Sequence, residues 1–261
     1  MWFCEKNPFQ KNHLSRCGEE RKMLQSAKIP VSYDRKGQTM AFRRNGLKIL
    51  ILFSTGYAIL RMLHWAIGFT YFTQLSNLFA AAVVLIQLLG RKNRCLLKYS
   101  ATVSIFRTFL IYLLVLAPAM PGGFFAAYRQ DHYASLCLHV ITPVLTIADF
   151  LLHDTDYAWE KKHIFYAILP PVGYLIFILL LGGFGFRWGM GNMTGPYLFL
   201  NYGAPAGWFG FRPETANYTT LGIGVFYCIL VLVALFLLAG WLFLALAKRR
   251  KPSLSREGFS D

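Results

Sequence analysis

Several hydroxyl, amide and imidazole side chains lie inside long apolar stretches of this sequence, where polar groups are energetically costly. Thr73, Ser76 and Asn77 share one face of an apolar segment, and His139 begins the polar face of another. A hydroxyl beside an imidazole is the minimal unit for nucleophilic acyl transfer, because the imidazole takes the hydroxyl proton and returns it to the leaving group. Thr73 is therefore the candidate nucleophile and His139 the candidate base.

Other polar residues are expected at a similar depth in the membrane, and their side chains can bind charged or polar groups. Asn77 is a candidate donor to an oxyanion, and Arg61, with His64 close to it, is a candidate for holding a carboxylate or phosphate. Arg107 and Asp149 are expected at similar depth in the inner half of the membrane. We expect them to form a buried ion pair, because burial of either charge alone would be costly. The sequence contains no zinc-binding H-E-x-x-H, no G-x-S-x-G elbow and no Gly-rich phosphate loop, so no metal or cofactor is expected.

The polar residues recur at helical spacing, in stripes that must avoid lipid. In the fourth apolar segment the steps are 3, 4, 3 and 4 residues, which places five side chains within about 80° of one helix face. A similar stripe occurs in the first segment and a shorter one in the third. We expect these stripes to converge on one polar interior. Their members are His139, Thr142, Thr146, Asp149 and His153; Ser54, Tyr57, Arg61 and His64; and Ser100, Ser104 and Arg107.

The elements that position these residues are predicted to be transmembrane helices. The chain is 56% hydrophobic and only 15% charged, against about 25% charged residues in soluble domains. A helix needs roughly 20 apolar residues to span a bilayer, and six such segments occur. The sequence thus predicts an all-α, polytopic helix bundle. The segments lie near 47–67, 71–90, 99–119, 136–153, 164–182 and 219–246.

The distribution of cations predicts the topology. The net charge is +15, but the charges lie in the tails and short loops, so we expect no nucleic-acid partner. One side of the six segments collects 22 of the 27 Lys and Arg residues, and the cation-rich side faces the cytoplasm. Residues 1–46 and 247–261 are then basic cytoplasmic tails flanking a 47–246 membrane domain, with Met40 as a second candidate start. The connection 183–218 lies outside, as an interfacial loop or a lid.

Three motifs resemble a known family. Tyr71-Phe72-Thr73-Gln74-Leu75-Ser76-Asn77-Leu78 resembles its Phe-Thr-x-x-Ser/Thr-Asn signature, Leu138–Pro143 with Asp149 resembles its His-x-x-x-Pro helix, and Pro196–Asn201 resembles a third recurring block. This is the androgen-induced-protein family of multipass membrane proteins, and the similarity, over about residues 45–246, is greater to its bacterial branch. The eukaryotic branch implies hydrolysis of fatty acid esters of hydroxy fatty acids by a membrane-embedded Thr and His, here Thr73 and His139. Ser76 is the alternative nucleophile.

The expected function is accordingly hydrolysis of an amphipathic lipid ester drawn from the surrounding membrane, with its anionic end on Arg61. The rival hypothesis is a non-catalytic transporter, lipid-binding protein or sensor that binds a ligand through its polar interior. A scaffold with buried polar packing is the third. We expect a multi-pass integral protein of the plasma membrane if the source is bacterial. For a eukaryotic source, the sequence does not identify the organelle.

Overall fold

The fold consists of seven α-helices and several shorter helical turns in the part of the chain described. A computed structural model describes residues 35–90, 95–119, 122–153, 157–189 and 191–249. The chain divides into two units, residues 1–43 and 44–261, and the account below concerns the second. The helices are α1 (Arg35–Met62), α2 (Phe72–Leu88), α3 (Cys95–Ile111), α4 (Phe124–Leu136), α5 (Thr142–His153), α6 (Leu169–Gly183) and α7 (Val225–Arg249).

The prediction of an all-helical fold is confirmed, and each of the six apolar segments is helical. Four helical stretches are long and apolar enough to cross a membrane: Cys95–Leu114, Phe124–His153, Lys161–Gly183 and Val225–Arg249. Helix α2 is apolar but shorter. Helix α1 begins at Arg35 rather than at residue 47, and α7 begins at Val225 rather than at 219. Residues 35–46 of the predicted N-terminal tail are therefore helical, while residues 1–34 and 250–261 lie outside the described residues, and the prediction for them stays untested.

Helix α3 is the most deeply buried of the four long stretches. Its side chains from Lys98 to Ile105 are all buried, as are those of Arg107 and Thr108. Helix α7 approaches it closely at Gly240, where an added Cβ would lie 2.6 Å from the Tyr99 hydroxyl and 2.8 Å from Ala167. Small residues permit such close contact between helices in membranes. The aromatic rings of Tyr99 and Phe150 fill the core around this contact.

Regular α-helical geometry is interrupted at three places in the helices around the site. The segments Tyr112–Leu116 and Cys137–Ile141 are π-helical turns that continue α3 and precede α5. Such turns are rare and occur often at functional sites. In addition, α4 is interrupted at Gln130–Tyr133, where three consecutive non-glycine residues have positive φ. The Tyr57 hydroxyl of α1 donates to the His132 carbonyl at this break (2.6 Å).

The connection between α6 and α7 is an ordered substructure, which we call the cap (residues 184–224). Three isolated β-bridges organise it, including Trp188–Met193 and Phe211–Ile223. The Asn201 side chain accepts from the backbone and hydroxyl of Thr194, and donates to the Thr219 carbonyl. The cap is therefore held by its own hydrogen bonds. We refer to the end of the bundle that contacts it as the cap end.

Candidate functional site

The polar face of α2 lies at the cap end and packs against α3. Ser76 is 3% exposed, and its hydroxyl lies 2.9 Å from the Thr73 carbonyl and 3.1 Å from the Thr108 hydroxyl. Thr73 is half-buried. A nucleophile must be reached by its substrate, so this difference in burial favours Thr73 over Ser76.

Asn77 connects α2 to the segment that carries His139. It is fully buried, and its amide nitrogen donates to the carbonyls of Thr73 (2.9 Å) and Leu138 (3.1 Å). The backbone at Thr73 is thus close to the backbone beside His139. The predicted role of Asn77 as an oxyanion donor is wrong, because both amide hydrogens are used by these carbonyls. Its Oδ1 is buried and has no hydrogen-bond partner among the described residues.

The ring of His139 is fixed by neighbours on two sides. Its Nδ1 lies 2.8 Å from the Ser135 carbonyl, and a carbonyl only accepts, so Nδ1 carries the proton. In the neutral ring Nε2 then holds the lone pair. The ring also stacks on Tyr112, with centroids 3.5 Å apart and planes inclined by 15°. Both residues belong to π-helical turns, so the altered helix geometry brings them together. This arrangement fixes the orientation that a general base requires.

The cap and α6 contact the residues that lead into Thr73. The Trp188 indole donates to the Thr70 hydroxyl (2.7 Å), and the Tyr174 hydroxyl donates to the Thr70 carbonyl (3.0 Å). The Phe72 amide, at the start of α2, donates to the Tyr197 hydroxyl (3.0 Å). Burial raises the pKa of Tyr197 to about 12, so its phenol stays protonated at neutral pH.

No hydrogen bond joins the Thr73 hydroxyl to His139 within the described ranges. Hydrogen bonds of this kind are often long before substrate binds and shorten in the complex. The structure brings Thr73, Asn77 and the His139 turn together, and it adds Tyr197 as a hydroxyl neighbour of Thr73. The Tyr197 hydroxyl accepts from the amide of Phe72, the residue before Thr73.

Arg61 and His64 do not face the bundle interior, and that expectation is wrong. Both are exposed, and the buried face of α1 lies about 100° away around the helix. The Lys48–Asp149 ion pair fixes this rotation. A charged side chain at a helix end reaches polar surroundings more cheaply than it enters the core. The buried face consists of Lys48, Ile51, Thr55, Ala58 and Met62.

The polar face of α5 does point inward, as predicted. Thr142, Thr146 and Asp149 are each fully buried. The Thr142 hydroxyl donates to the Ser54 hydroxyl at 2.9 Å, which links α5 to α1. The prediction that the polar stripe of α5 faces the interior of the bundle is therefore confirmed for these three residues.

Asp149 lies in a second cluster, in which basic side chains from three helices contact its carboxylate. Its carboxylate accepts from Lys48 at 2.6 Å and from Lys98 at 2.6 Å, and His153 Nδ1 lies 2.9 Å from its other oxygen. We call Lys48, Lys98, Asp149 and His153 the ion cluster. Two lysines share one fully buried carboxylate, so the cluster carries net positive charge when both are protonated.

The predicted Arg107–Asp149 ion pair is wrong. Lys98 and Arg107 are nine residues apart on α3, which places them about 180° apart around that helix. Since Lys98 faces Asp149, Arg107 faces the opposite side. Its guanidinium carbon lies 5.4 Å from the centre of the Phe236 ring of α7.

Sequence reasoning missed several residues of the site. Lys48 and Lys98 lie near segment ends and are counted among the 22 cations of the cation-rich side, for which a cytoplasmic surface position is predicted. Their attachment to apolar segments was the available signal of burial. Tyr197 belongs to a block noted for its resemblance alone. Tyr112 lies in an apolar run with no polar periodicity, so nothing in the sequence marks it.

A cavity of about 600 Å³ lies within the cap and contains none of the predicted site residues. Its lining includes Arg187, Thr194, Asn201, Glu214 and Asn217. Thr194 and Asn201 bond to each other, as do Asn217 and Thr219, so much of this polar lining serves the folding of the cap.

Within the described part of the chain, no group of three or more His, Cys, Asp or Glu residues is arranged to hold a metal ion. Comparisons of the chain with protein-family models, curated proteins and solved structures find no match.

Proposed function

We propose that this protein is a membrane-embedded hydrolase of lipid esters, with Thr73 as nucleophile and His139 as general base. The observation that carries the proposal is the Asn77 bridge, since one buried amide nitrogen bonds to the carbonyls of both Thr73 and Leu138. A bridge of this kind keeps α2 and the His139 turn in fixed register. The resemblance of these motifs to a family of threonine hydrolases is consistent with this assignment.

The proposed reaction has two half-reactions. In the first, the Thr73 oxygen attacks the ester carbonyl carbon while His139 Nε2 takes the hydroxyl proton. The tetrahedral intermediate collapses with cleavage of the carbon–oxygen bond, and His139 returns the proton to the leaving alcohol. In the second, water attacks the acyl-threonine with the same base, releasing a carboxylic acid. We assign the Tyr197 hydroxyl as the donor to the oxyanion in both intermediates.

The Ser135 carbonyl would act on the base through its hydrogen bond to Nδ1. It holds His139 in the tautomer whose Nε2 accepts a proton, and it stabilises the imidazolium that forms. The stacked Tyr112 ring restricts rotation about the side-chain bonds. Neither group touches the substrate, so both are positioning residues.

Labelling with a fluorophosphonate probe, which reacts with activated hydroxyl nucleophiles, tests the proposal. Membranes expressing wild type, Thr73→Ala, His139→Ala and Ser76→Ala are compared at equal protein level. We expect labelling in wild type and Ser76→Ala, and a loss of about 100-fold or more in the other two. Ser76→Ala is the matched control because it removes a hydroxyl one turn away on the same face. Undiminished labelling of folded Thr73→Ala would overturn the assignment.

A second candidate function is transport or sensing of a ligand through the polar interior. The ion cluster favours it, because a fully buried carboxylate bearing two lysines is costly to form and such residues often mark ion or proton pathways. Flux of substrate or protons in liposomes that depends on Asp149 and not on Thr73 would favour transport. Activity that depends on Thr73 and is independent of a gradient would favour hydrolysis.

We further propose that all six apolar segments span the membrane, with both chain ends in the cytoplasm. The cap then lies on the outer side, above Thr73. Membrane lipids are the source of substrate in this arrangement, and acyl chains enter laterally between helices.

A further inference from the structure

Arg107 is a buried cation near the middle of the bundle. It lies twelve residues after the start of α3, roughly 18 Å along the helix. Its exposed fraction is 6%, and its Nε atom is buried without a hydrogen-bond partner among the described residues. The Phe236 ring beneath the guanidinium gives a cation–π contact, which offsets only part of the cost of burial.

No carboxylate neutralises Arg107 in the described part of the chain. Asp149 is occupied by Lys48 and Lys98. Glu160 pairs with Lys162, and the remaining described acids, Asp131 and Glu214, are exposed. Buried charges in proteins are normally paired. Among the described residues the one buried carboxylate is already neutralised, so a buried guanidinium without a counter-ion there indicates an anionic ligand.

The neighbouring hydroxyl groups do not take the place of a counter-ion. Ser104 donates to the Ser100 carbonyl (2.9 Å), and Thr108 donates to the Ser104 carbonyl (3.3 Å). Both bonds are internal to α3. The guanidinium Nε, in turn, has no hydrogen-bond partner among the described residues, and a planar guanidinium can bind an oxyanion through two parallel hydrogen bonds.

The surroundings of Arg107 favour a ligand with a long apolar body. Phe236 also packs edge-on against Phe72, with centroids 6.0 Å apart, and Phe106 packs against Phe243 at 5.1 Å. These rings come from α2, α3 and α7. They make the surroundings of the guanidinium apolar, which suits an anionic ligand that also carries a hydrocarbon chain.

Arg107 also lies close to the proposed nucleophile through two chains of contact. Its neighbour Thr108 shares a hydrogen bond with Ser76, whose hydroxyl also bonds to the Thr73 carbonyl. Phe72, which precedes Thr73, reaches the same Phe236 ring that lies under Arg107. A molecule bound at Arg107 would extend toward Thr73.

We propose that Arg107 binds the carboxylate of a fatty acyl ligand, with the hydrocarbon chain packed on the aromatic rings. A carboxylate is favoured over a phosphodiester because the acid end of a single chain enters a buried site without a further polar substituent. If the proposed hydrolase function holds, the substrate is an ester that also carries a free carboxylate, and Arg107 replaces Arg61 as its anchor. Binding of the acid itself does not require catalysis.

Photo-crosslinking of the full chain in nanodiscs with a diazirine-bearing fatty acid tests the inference. Palmitate, methyl palmitate and dipalmitoyl phosphatidate are the competitors. We expect palmitate to compete, methyl palmitate to compete about tenfold more weakly, and Arg107→Gln to reduce crosslinking about tenfold or more. Arg61→Gln is the matched control, since it removes an exposed guanidinium, and it should crosslink as wild type. Thr73→Ala should also crosslink normally, which separates ligand binding from hydrolysis.

Three outcomes would contradict the inference. Equal crosslinking of Arg107→Gln and wild type would remove Arg107 from the site. Equal competition by the methyl ester would show that the anion is not recognised, and stronger competition by phosphatidate would assign the site to a phosphate. Stability offers an independent check: Arg107→Met without ligand should melt no lower than wild type, because it removes an uncompensated buried charge. A lower melting temperature would instead assign Arg107 a structural role.

Discussion

Asp149 is the carboxylate that three buried or half-buried basic side chains contact. Three cationic or titratable side chains from α1, α3 and α5 meet on one carboxylate, at the cytoplasmic ends of the proposed spans. Breaking a buried pair by removal of one partner costs far more than replacing the whole pair by apolar groups. Loss of the Asp149 carboxylate should therefore reduce stability more than loss of one of the lysines.

We predict that Asp149→Asn destabilises the protein by about 3–5 kcal/mol, because it removes the carboxylate that both Lys48 and Lys98 contact. Lys48→Met should cost much less, since Asp149 and Lys98 still form a one-to-one pair. Thermal unfolding in detergent, followed by tryptophan fluorescence, measures both. A larger loss of stability in Lys48→Met than in Asp149→Asn would contradict the charge balance described here.

Two kinds of element position the candidate site. The π-helical turns of Tyr112 and His139 bring two rings into stacking contact, and the cap holds the segment before Thr73 through Trp188 and Tyr197. The cap needs close approach of its own backbone. At Gly195, an added Cβ would lie 2.5 Å from the Leu200 carbonyl oxygen, which is a backbone atom that cannot move aside cheaply.

We predict that Gly195→Ala destabilises the cap by about 1–3 kcal/mol through this overlap. Gly183→Ala is the control, because nothing lies within 4 Å of its added Cβ. Hydrogen–deuterium exchange of the cap peptides should rise in Gly195→Ala and stay at the wild-type level in Gly183→Ala. Unchanged exchange in Gly195→Ala would mean that the cap backbone accommodates the methyl group.

At the scale of the whole molecule, four helical stretches are long and apolar enough to cross a membrane, and α1 and α2 complete the proposed six. Helix α1 contains Lys48 and Arg61, and it is expected to span because Lys48 is neutralised inside the bundle while Arg61 lies near the cap end. Two of the cations that were assigned to the cytoplasmic surface, Lys48 and Lys98, are buried. Most of the other Lys and Arg residues still belong to one side of the predicted segments in the sequence, so the proposed orientation is unchanged.

We predict that the cap and the α5–α6 connection lie on opposite sides of the membrane. In a background without the five native cysteines, a membrane-impermeant maleimide should label Glu214→Cys in intact cells. It should label Lys161→Cys only after the membrane is permeabilised. Both positions are exposed, so access across the bilayer is the variable. The reverse labelling pattern would invert the proposed topology.

The helices and one polar face were determined by local properties of the sequence. Six apolar segments of spanning length predicted six helical regions, because lipid-facing backbone must satisfy its hydrogen bonds within the segment. The periodic spacing of Thr142, Thr146 and Asp149 predicted an inward face, and the structure confirms it. The positions of Thr73, Asn77 and His139 also followed from type and spacing. The catalytic roles of Thr73 and His139 remain predictions.

The partners of the polar residues were decided only by tertiary structure. Periodicity places a residue on a face but does not fix the rotation of a helix about its axis. The Lys48–Asp149 pair sets that rotation for α1 and leaves Arg61 exposed; the half-turn between Lys98 and Arg107 directs Arg107 to Phe236. The π-helical turns and the Asn77 bridge depend on contacts between helices far apart in sequence. Their energy arises only when those helices pack, and no local pattern of residues encodes it.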